Sequence, residues 1–570
     1  MKKAVILDGY VDEPTCLGVP PYISPYVRYI AGAIVSYDKL IKIQYYTIDQ
    51  LRNNNLILES LFSNTDLLVV IAGSSVPGKY LSGYPISPFE ILKFFSNLHH
   101  PFKILVGPAA RYGFGLSGGK KVIDREVIKN VFDTVITGDP EIVISELLKN
   151  KLKIEKIDTT QCKSSQKDIK KYAVIGAKIV KQHPNYPDYL IAEIETYRGC
   201  ARNIVGGCSF CSEPSKGLPM YRSIKDIVDE IKSLYDFGIR HFRLGNQPCI
   251  FSYQAKGAGE LEFPKPNPEI IEKLFKGIRN NAPYLKTLHI DNVNPGVIAN
   301  YPNESKKIAK IIVRYHTPGD VAAFGIESAD PQVIKKNNLK VDPSEALFSI
   351  KLLNEIGQKR GENGFPELLP GLNFVFGLDG ETKKTFDYNY DFLNEILSNN
   401  LLVRRINLRQ VIPIPGTKMW NIGDKFVKKH KKEFKRFKRK VHENIERPLL
   451  QRMLPFNTLI KDVYFEKYEG KLTFGRQIGS YPLLIGIPGI FSLNKFYNVK
   501  IVGYGYRSLT AIPYPININD APKETLEAIP GIGKKRVLRI LAKRPIKKSE
   551  ELYKILDDEK TIKNLFNYFN

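Results

Sequence analysis

The sequence predicts an α/β chain that ends in two small modules of different character. Two observations carry the prediction. From residue 1 to about 424, short apolar runs alternate with helical periodicity, the pattern of parallel strands joined by helices. From 456 onward the runs become short and glycine-punctuated, then give way to helices around Pro530-Gly-Ile-Gly533. A length of 570 residues favours several domains, and a 43% hydrophobic content suits a folded protein.

Residues 1–150 form the first α/β unit. Its apolar runs at 4–8, 66–73, 102–108 and 134–138 end in Asp, Gly or Gly-Pro. Helical stretches separate them, which predicts a doubly wound, Rossmann-like sheet. The glycine-rich run 113–119 is too loose for a phosphate loop and reads as a surface loop. Residues 151–188 are lysine-rich and weakly patterned, and read as a linker or crossing segment. From 189 to 424, candidate strands fall at 189–196, 240–245, 286–292, 321–327, 371–377 and 402–412, with helical stretches such as 224–237 and 344–356 between them.

The most specific segment is 200–211, Cys-Ala-Arg-Asn-Ile-Val-Gly-Gly-Cys-Ser-Phe-Cys. Three of the six cysteines fall within twelve residues, just past a strand, spaced Cx7C then CxxC. Three thiolates on one loop can hold three irons of a [4Fe–4S] cluster and leave the fourth open. A structural zinc site wants four protein ligands, and this loop offers no fourth Cys or His. A zinc loop completed from elsewhere, or a set of buried thiols, is the alternative. The loop resembles that of the radical S-adenosylmethionine (SAM) enzymes, which carry Cx3CxxC with an aromatic before the last Cys, as Phe210 is here. The first gap is longer in this chain.

Later strand ends extend the resemblance. Leu244-Gly-Asn-Gln-Pro248 is similar to the family's Gly-Gly-Glu-Pro, which implies that Gly245 and Gln247 hold the methionyl amine of SAM, with Gln in place of Glu. Ala323-Phe-Gly-Ile-Glu-Ser-Ala329 is similar to Gly-x-Glu-Ser, which implies SAM contacts from Glu327 and Ser328; a salt bridge from Glu327 to a barrel Arg is the alternative. The turn 377–382 resembles Gly-Leu-Pro-Gly-Glu-Thr, with Asp379 for the proline, and its role is architectural. Arg404, Arg405 and Arg409 either face the substrate or pair with acids. The resemblance implies a partial (β/α)6 barrel with its chemistry at the C-terminal strand ends. It also implies a [4Fe–4S] cluster on Cys200, Cys208 and Cys211 as the catalytic centre, SAM as second cofactor, and an electron donor as partner. The implied reaction is reductive cleavage of SAM to methionine and a 5′-deoxyadenosyl radical that abstracts hydrogen. Cys249 is either a hydrogen donor or a buried thiol. The cobalamin signature Asp-x-His-x-x-Gly is absent, and His99 and His100 lie in a loop without it, so no cobalamin is expected. Methylthiotransferases of the same superfamily add three N-terminal cysteines for a second cluster. Here only Cys16 and Cys162 lie in or near that region, so neither a second cluster nor direct sulfur insertion is expected.

The C-terminal third is basic. Residues 425–440 carry ten Lys/Arg and one Glu, and Phe426, His430, Phe434, Phe437 and Val441 share one helical stripe. This makes 425–455 a basic helical segment, either solvated or touching nucleic acid. Residues 456–512 read as a small β-barrel similar to the TRAM domain, with Arg476 and aromatics available to stack on bases. Residues 513–570 resemble a helix-hairpin-helix domain. Its Pro530–Gly533 turn opens a helix whose N–H groups take a phosphate, with Gly531, Gly533, Lys534, Lys535 and Arg536 as the binding set. A protein-binding hairpin is the alternative. The net charge of +26, from 85 Lys+Arg against 59 Asp+Glu, points to a polyanion or to a lysine-rich proteome. Together these features predict a radical SAM enzyme that modifies a nucleic acid, RNA rather than DNA. The rivals are a radical SAM enzyme acting on a protein or small molecule, and a non-catalytic nucleic-acid-binding iron–sulfur protein. No membrane span or signal peptide is read, and reduced thiols point to the cytoplasm.

Overall fold

The computed structural model describes residues 1–11, 19, 21–54, 57–58, 64–74, 83–115, 118–548, 550–556, 558–566 and 568. Cys16 and residues 116–117 of the glycine-rich run lie outside the described residues. The first strands are β1 (Lys3–Asp8), β2 (Tyr22–Ile23), β3 (Lys42–Thr47), β4 (Leu67–Ile71), β5 (Phe102–Val106) and β6 (Thr134–Val135). Five of them pair in the order β3-β1-β4-β5-β6, all parallel. Alternate strand residues feed two cores. Ala4, Ile6, Val69 and Ile104 face the helices Pro25–Tyr37 and Pro140–Lys149, while Val5, Leu7, Val70 and Leu105 face Ile91 and Phe95. The sheet is doubly wound, as the apolar runs predict. The edge strand β3 adds to the prediction: its sequence KIQYYT is half exposed and lacks an apolar run.

Six parallel strands build the larger unit: β7 (Ile191–Glu195), then, past the short hairpin β8 (Tyr197–Arg198) and β9 (Met220–Tyr221), β10 (His241–Gly245), β11 (Thr287–Ile290), β12 (Asp320–Glu327), β13 (Leu368–Phe376) and β14 (Arg405–Gln410). The two runs β7-β10-β11 and β12-β13-β14 are joined by a parallel bridge between Asn292 and Ala323. The N-terminal β2 pairs with β7 at the open edge, Tyr22 opposite Ile191.

The first unit is bonded to this barrel by buried charge. Arg28 on the helix Pro25–Tyr37 pairs with Glu230 on the barrel helix Ile224–Asp236 at 2.9 Å and also donates to the Glu193 carbonyl. Glu230 takes a second arginine, Arg222, at 2.6 Å, and all three side chains are fully buried. The expected linker 151–188 is short helical turns, not a free crossing. Ile169, Ala173, Ala177 and Val180 are buried, and Lys163 pairs with Glu141 and Glu195, each at 3.3 Å. Buried apolar residues spaced at helical intervals, masked by the lysines between them, make the difference.

The last third holds a closed barrel and a helical tail. The strands β15 (Leu459–Glu469), β16 (Leu472–Gln477), β17 (Leu484–Pro488), β18 (Phe496–Tyr504) and β19 (Ser508–Pro513) close in the order β15-β16-β17-β19-β18, with one parallel pair, β17 and β19. The β16–β17 loop enters the larger barrel. Ser480 donates from its N–H to His289 Nδ1 (3.0 Å) and from its hydroxyl to the Ile290 carbonyl (3.1 Å), and Tyr481 donates to Asp291 (3.0 Å). Tyr22 donates to the Gly479 carbonyl at 2.6 Å. The tail helices Lys523–Ala528, Lys534–Lys543, Glu550–Ile555 and Glu559–Phe566 share a core that includes Ile512 of β19, and Thr525 donates to the Pro488 carbonyl.

Removing one partner of a buried ion pair leaves an uncompensated charge, at a cost of about 3–5 kcal/mol. Glu230→Leu strands Arg28, while Arg222 keeps Asp226. We expect this variant to lower the denaturant midpoint strongly. The exposed Lys232→Ala, which breaks an i,i+4 pair with Asp236, should change the unfolding free energy by no more than about 0.5 kcal/mol and leave the midpoint nearly in place.

Candidate active site at the barrel mouth

A cavity of about 220 Å³ opens at the C-terminal ends of the barrel strands. Its walls come from the loop after β7, from Pro248 and Cys249 past β10, Asn292 and Asn294 past β11, Glu327 at the end of β12, Asn373 on β13 and Arg409 on β14. Ser74 and Val122 of the first unit close one side. All three clustered cysteines, Cys200, Cys208 and Cys211, line it, as does Phe210.

Backbone geometry fixes the cysteine loop. Arg198, two residues before Cys200, forms a buried ion pair with Asp139 of the first unit. Gly199 follows at φ +84°, where a Cβ would sit 2.3 Å from the Leu218 carbonyl oxygen, so only glycine fits. The extra residues of the Cx7C gap form the 3-10 turn Ala201–Val205, with Ile204 and Val205 exposed. Burial pushes the Cys200 thiol up to about 11 and the Cys211 thiol further. Arg202 donates to Cys208 Sγ at 2.9 Å and the Glu213 N–H to Cys211 Sγ at 3.4 Å, both of which favour thiolate sulfur. No three His, Cys, Asp or Glu side chains among the described residues converge on a single ion. Thiols spread around one cavity suit a cluster in which each binds a different iron.

Glu327 is 7% exposed and sits at φ +68°, a strained position for a side chain. Burial pushes its carboxyl up to about 7, against the pull of Lys340, 4.0 Å away, and of Arg409. Gly325 leaves room for both heads: a Cβ there would lie 2.3 Å from Glu327 Oε1 and 2.4 Å from Lys340 Nζ.

The cavity gathers some of the predicted SAM contacts and not others. Phe210 and Glu327 line it. Gln247 is fully buried behind it: Oε1 accepts from Thr196 (3.2 Å), and Nε2 donates to the Leu244 carbonyl (3.0 Å). Gly245 faces Glu193, and Ser328 accepts from the Asp330 N–H. Cys249 lines the cavity, buried, its sulfur accepting from the Asn294 N–H. Arg409 faces the cavity, whereas Arg404 is buried and Arg405 half-buried below it, neither ion-paired with an acid among the described residues. Arg404 donates to the Tyr481 carbonyl, and the Arg405 guanidinium lies 5.1 Å from the Tyr481 ring; burial pulls the two down to about 9 and about 10. Lys340, Arg202, Asn292 and Asn373 line the cavity without a sequence signal; Arg202 is legible only as a neighbour of Cys200.

Two arginines expected at nucleic acid are engaged internally. Arg476 is clamped by Glu466 at 2.6 and 2.8 Å, a bidentate pair beside Tyr189 rather than a base platform. Arg536 turns back to the Gly531 carbonyl, Thr561 and Asp558, whereas Lys534 and Lys535 are exposed. Gly531 takes φ +88°, and Gly533 is the extended N-cap of the helix Lys534–Lys543. His99 and His100 are exposed ahead of β5. No helix of the described residues is long and apolar enough to cross a membrane.

Residues 194–393 match the family model described as the radical SAM superfamily. An uncharacterised protein of Methanocaldococcus jannaschii is 49% identical over 89% of this chain and 92% of its own length. The ribosomal protein uS12 methylthiotransferase of Carboxydothermus hydrogenoformans is 25% identical over 37% of this chain and 42% of its own. Among solved structures, the radical SAM methyltransferase TsrM of Kitasatospora setae, with tryptophan and a SAM analogue bound, superposes with a TM-score of 0.50 at 14% identity, over 74% of this chain and 75% of that one.

A carboxyl raised from 4.5 to about 7 binds its proton more tightly folded than unfolded. Its contribution to stability is therefore full below about pH 4.5 and lost as pH rises through about 7. At about 1.4 kcal/mol per pH unit, we expect Glu327→Gln to gain roughly 1–3 kcal/mol over the parent at pH 8 and almost nothing at pH 4.5. Equal gains in chemical unfolding at both pH values would contradict this.

Proposed function

The chain belongs to the radical SAM superfamily, enzymes that work with a [4Fe–4S] cluster and S-adenosylmethionine, and from that premise we propose that this one modifies a nucleic acid, RNA rather than DNA. Cys200, Cys208 and Cys211 hold the cluster. Bound cluster and SAM supply a carbon radical that abstracts hydrogen from the substrate. The protein's own part is placement. Arg202 and the Glu213 N–H steady two of the sulfurs. Glu327, with Lys340 beside it, offers a carboxyl and an ammonium to the polar end of SAM. Val297, Val411, Ile412 and Ile414 keep the cavity wall dry. Gln247 acts from behind the wall. Its main-chain carbonyl accepts from the Asn292 side chain, which lines the cavity, so it sets the cavity's shape without touching SAM.

The observation that carries the substrate class is the pairing of a closed five-stranded barrel with a helical tail whose Pro530–Gly533 turn presents Lys534 and Lys535. Five-stranded barrels of the oligonucleotide-binding class take oligonucleotides, and the N–H groups at a helix start suit a backbone phosphate. The β16–β17 loop couples this module to the catalytic barrel. A protein substrate is the second reading: the methylthiotransferase relative is named for ribosomal protein uS12, although its overlap is 37% of this chain. Comparing nucleosides of tRNA and rRNA from a deletion strain and its parent by mass spectrometry decides between them. A nucleoside lost in the deletion is expected; an unchanged set turns the proposal toward protein.

Two further outcomes are expected. Anaerobic reconstitution should give about four irons per chain, and each of Cys200→Ala, Cys208→Ala and Cys211→Ala should lose both the iron and SAM cleavage. Unchanged iron in all three would remove the cluster assignment, and about eight irons would indicate a second cluster. In the full chain, Lys534→Glu with Lys535→Glu should weaken tRNA binding and flatten its log–log salt dependence by roughly 0.7–0.9 per lost phosphate contact. The loss should be similar across RNA sequences, because backbone contacts do not read bases.

A further inference from the structure

We propose that the basic segment 425–442 is a track that leads a single strand of RNA from the small barrel to the mouth of the active site; the proposal rests on the nucleic-acid reading and extends it. All ten Lys and Arg of 425–440 are exposed. The one acid among them, Glu433, is half-buried and turned to Lys383 at 3.7 Å. On the helix Lys431–Val441, Lys431, Lys435 and Arg439 form one i,i+4 row and Lys432 and Arg436 a second. None of these five has an acid partner among the described residues. Like charges at this spacing destabilise a helix, and a polyanion removes that cost while releasing its own counterions.

The helix is not free to do something else with its apolar side. Phe437 and Val441 are buried, Phe437 lies 5.2 Å from the Phe376 ring, and His430 is hydrogen-bonded to the buried Glu381 at 3.1 Å. An interfacial membrane helix must offer its apolar face to lipid; here that face belongs to the core, and only the cationic face meets solvent.

Both ends of the segment touch the sites the track would join. At the start, Val427 shares a cluster with Val411, Cys208 and Phe210, all three of which line the cavity, and it fills the space above Gly377. At the end, His442 stacks at 6.5 Å on Tyr506, which is 49% exposed on the β18–β19 turn of the small barrel, and Arg507 beside it pairs with Glu446 at 3.1 Å. The helix Lys431–Val441 between them spans about 16 Å at 1.5 Å per residue. A cationic strip ending in an exposed aromatic is the arrangement that binds single strands: charge follows the backbone and the ring takes a base.

The test titrates a labelled 20-mer oligouridylate, and a duplex RNA of equal length, into the full holoprotein at several salt concentrations. The variants are Lys435→Glu/Arg436→Glu/Arg439→Glu and Tyr506→Ala. The triple variant should bind the 20-mer at least tenfold more weakly, with the salt slope reduced by about 2, from three contacts at roughly 0.7 each for single strands. Tyr506→Ala should lose about fivefold with the slope unchanged, because stacking carries no counterion. Iron content and thermal midpoint report folding; if the glutamates disturb either, Lys435→Gln/Arg436→Gln/Arg439→Gln should give the same direction at smaller amplitude. A parent protein that binds neither RNA would overturn the nucleic-acid reading itself. Parent binding whose affinity and slope survive the triple substitution would overturn the track alone and leave the tail as the binding module. Equal loss on duplex and single strand, with no effect of Tyr506→Ala, would overturn its single-strand character. Parent binding to phosphatidylserine vesicles that the 20-mer does not displace would assign the strip to a membrane instead.

Discussion

The structure depends on one buried guanidinium. Arg243, on β10, is 1% exposed in the lumen of the larger barrel. An unpaired charge there would cost several kcal/mol, so the surroundings are built to receive it. Asp291, past β11, pairs with it closely, and Glu193, on β7, reaches it at 3.4 Å. Two aromatic rings flank it, Tyr22 at 5.8 Å and Tyr481 at 5.7 Å. These come from the first strands of the chain and from the small barrel near its end. Four separate parts of the fold therefore converge on a single cation. Gly245, two residues on, must lack a side chain because the Glu193 carboxylate occupies the space where a Cβ would lie.

Above this polar floor the chemistry is different. A hydrogen-bonded series runs upward from Arg405 to Asn407 at 2.5 Å and from Asn407 to Asn373 at 2.7 Å, and Asn373 lines the cavity. Arg243 on the floor is neutralised by pairing, whereas the mouth keeps its charges loosely balanced: Glu327 and Lys340 stand 4.0 Å apart, and Arg409 faces in with no bonded acid among the described residues. Left-handed backbone gathers at the same level, at Asn246 (φ +54°) just past β10, where Asn tolerates it, and at Glu327 (φ +68°), which ends β12 and is strained. Strain of this kind persists where packing holds a side chain for a ligand rather than for the fold.

The barrel strands were legible from local signals, apolar runs such as β12 and β13 or apolar–polar alternation such as Arg405-Ile-Asn-Leu-Arg-Gln410 of β14. The cysteine loop was legible from spacing alone. What the sequence hid is tertiary. The two-residue β2 is too short to show any period, and β3 carries lysine and glutamine because its outer side meets water. Gln247 stands at the motif position, yet Thr196 captures its carbonyl, a competition no local pattern reveals. Arg476 and Arg536 looked available only because their partners, Glu466 and Asp558, are ten and more residues away. The Gly479–Tyr481 loop carries no motif and takes its meaning from the barrel it enters.

That loop sets a timetable for synthesis. The hydrogen bond from Tyr22 to the Gly479 carbonyl spans 457 residues. At about 5–20 residues per second on the ribosome, Tyr22 waits roughly 20–90 s for its partner. During that interval the larger-barrel strands have already emerged, while Tyr22, Arg243 and His289 lack the partners that the Gly479–Tyr481 loop brings. The nascent larger barrel is thus an unfinished vessel, and a chain released before residue 479 would keep Cys200, Cys208 and Cys211 while lacking the Gly479–Tyr481 loop that packs against Tyr22, His289 and Asp291.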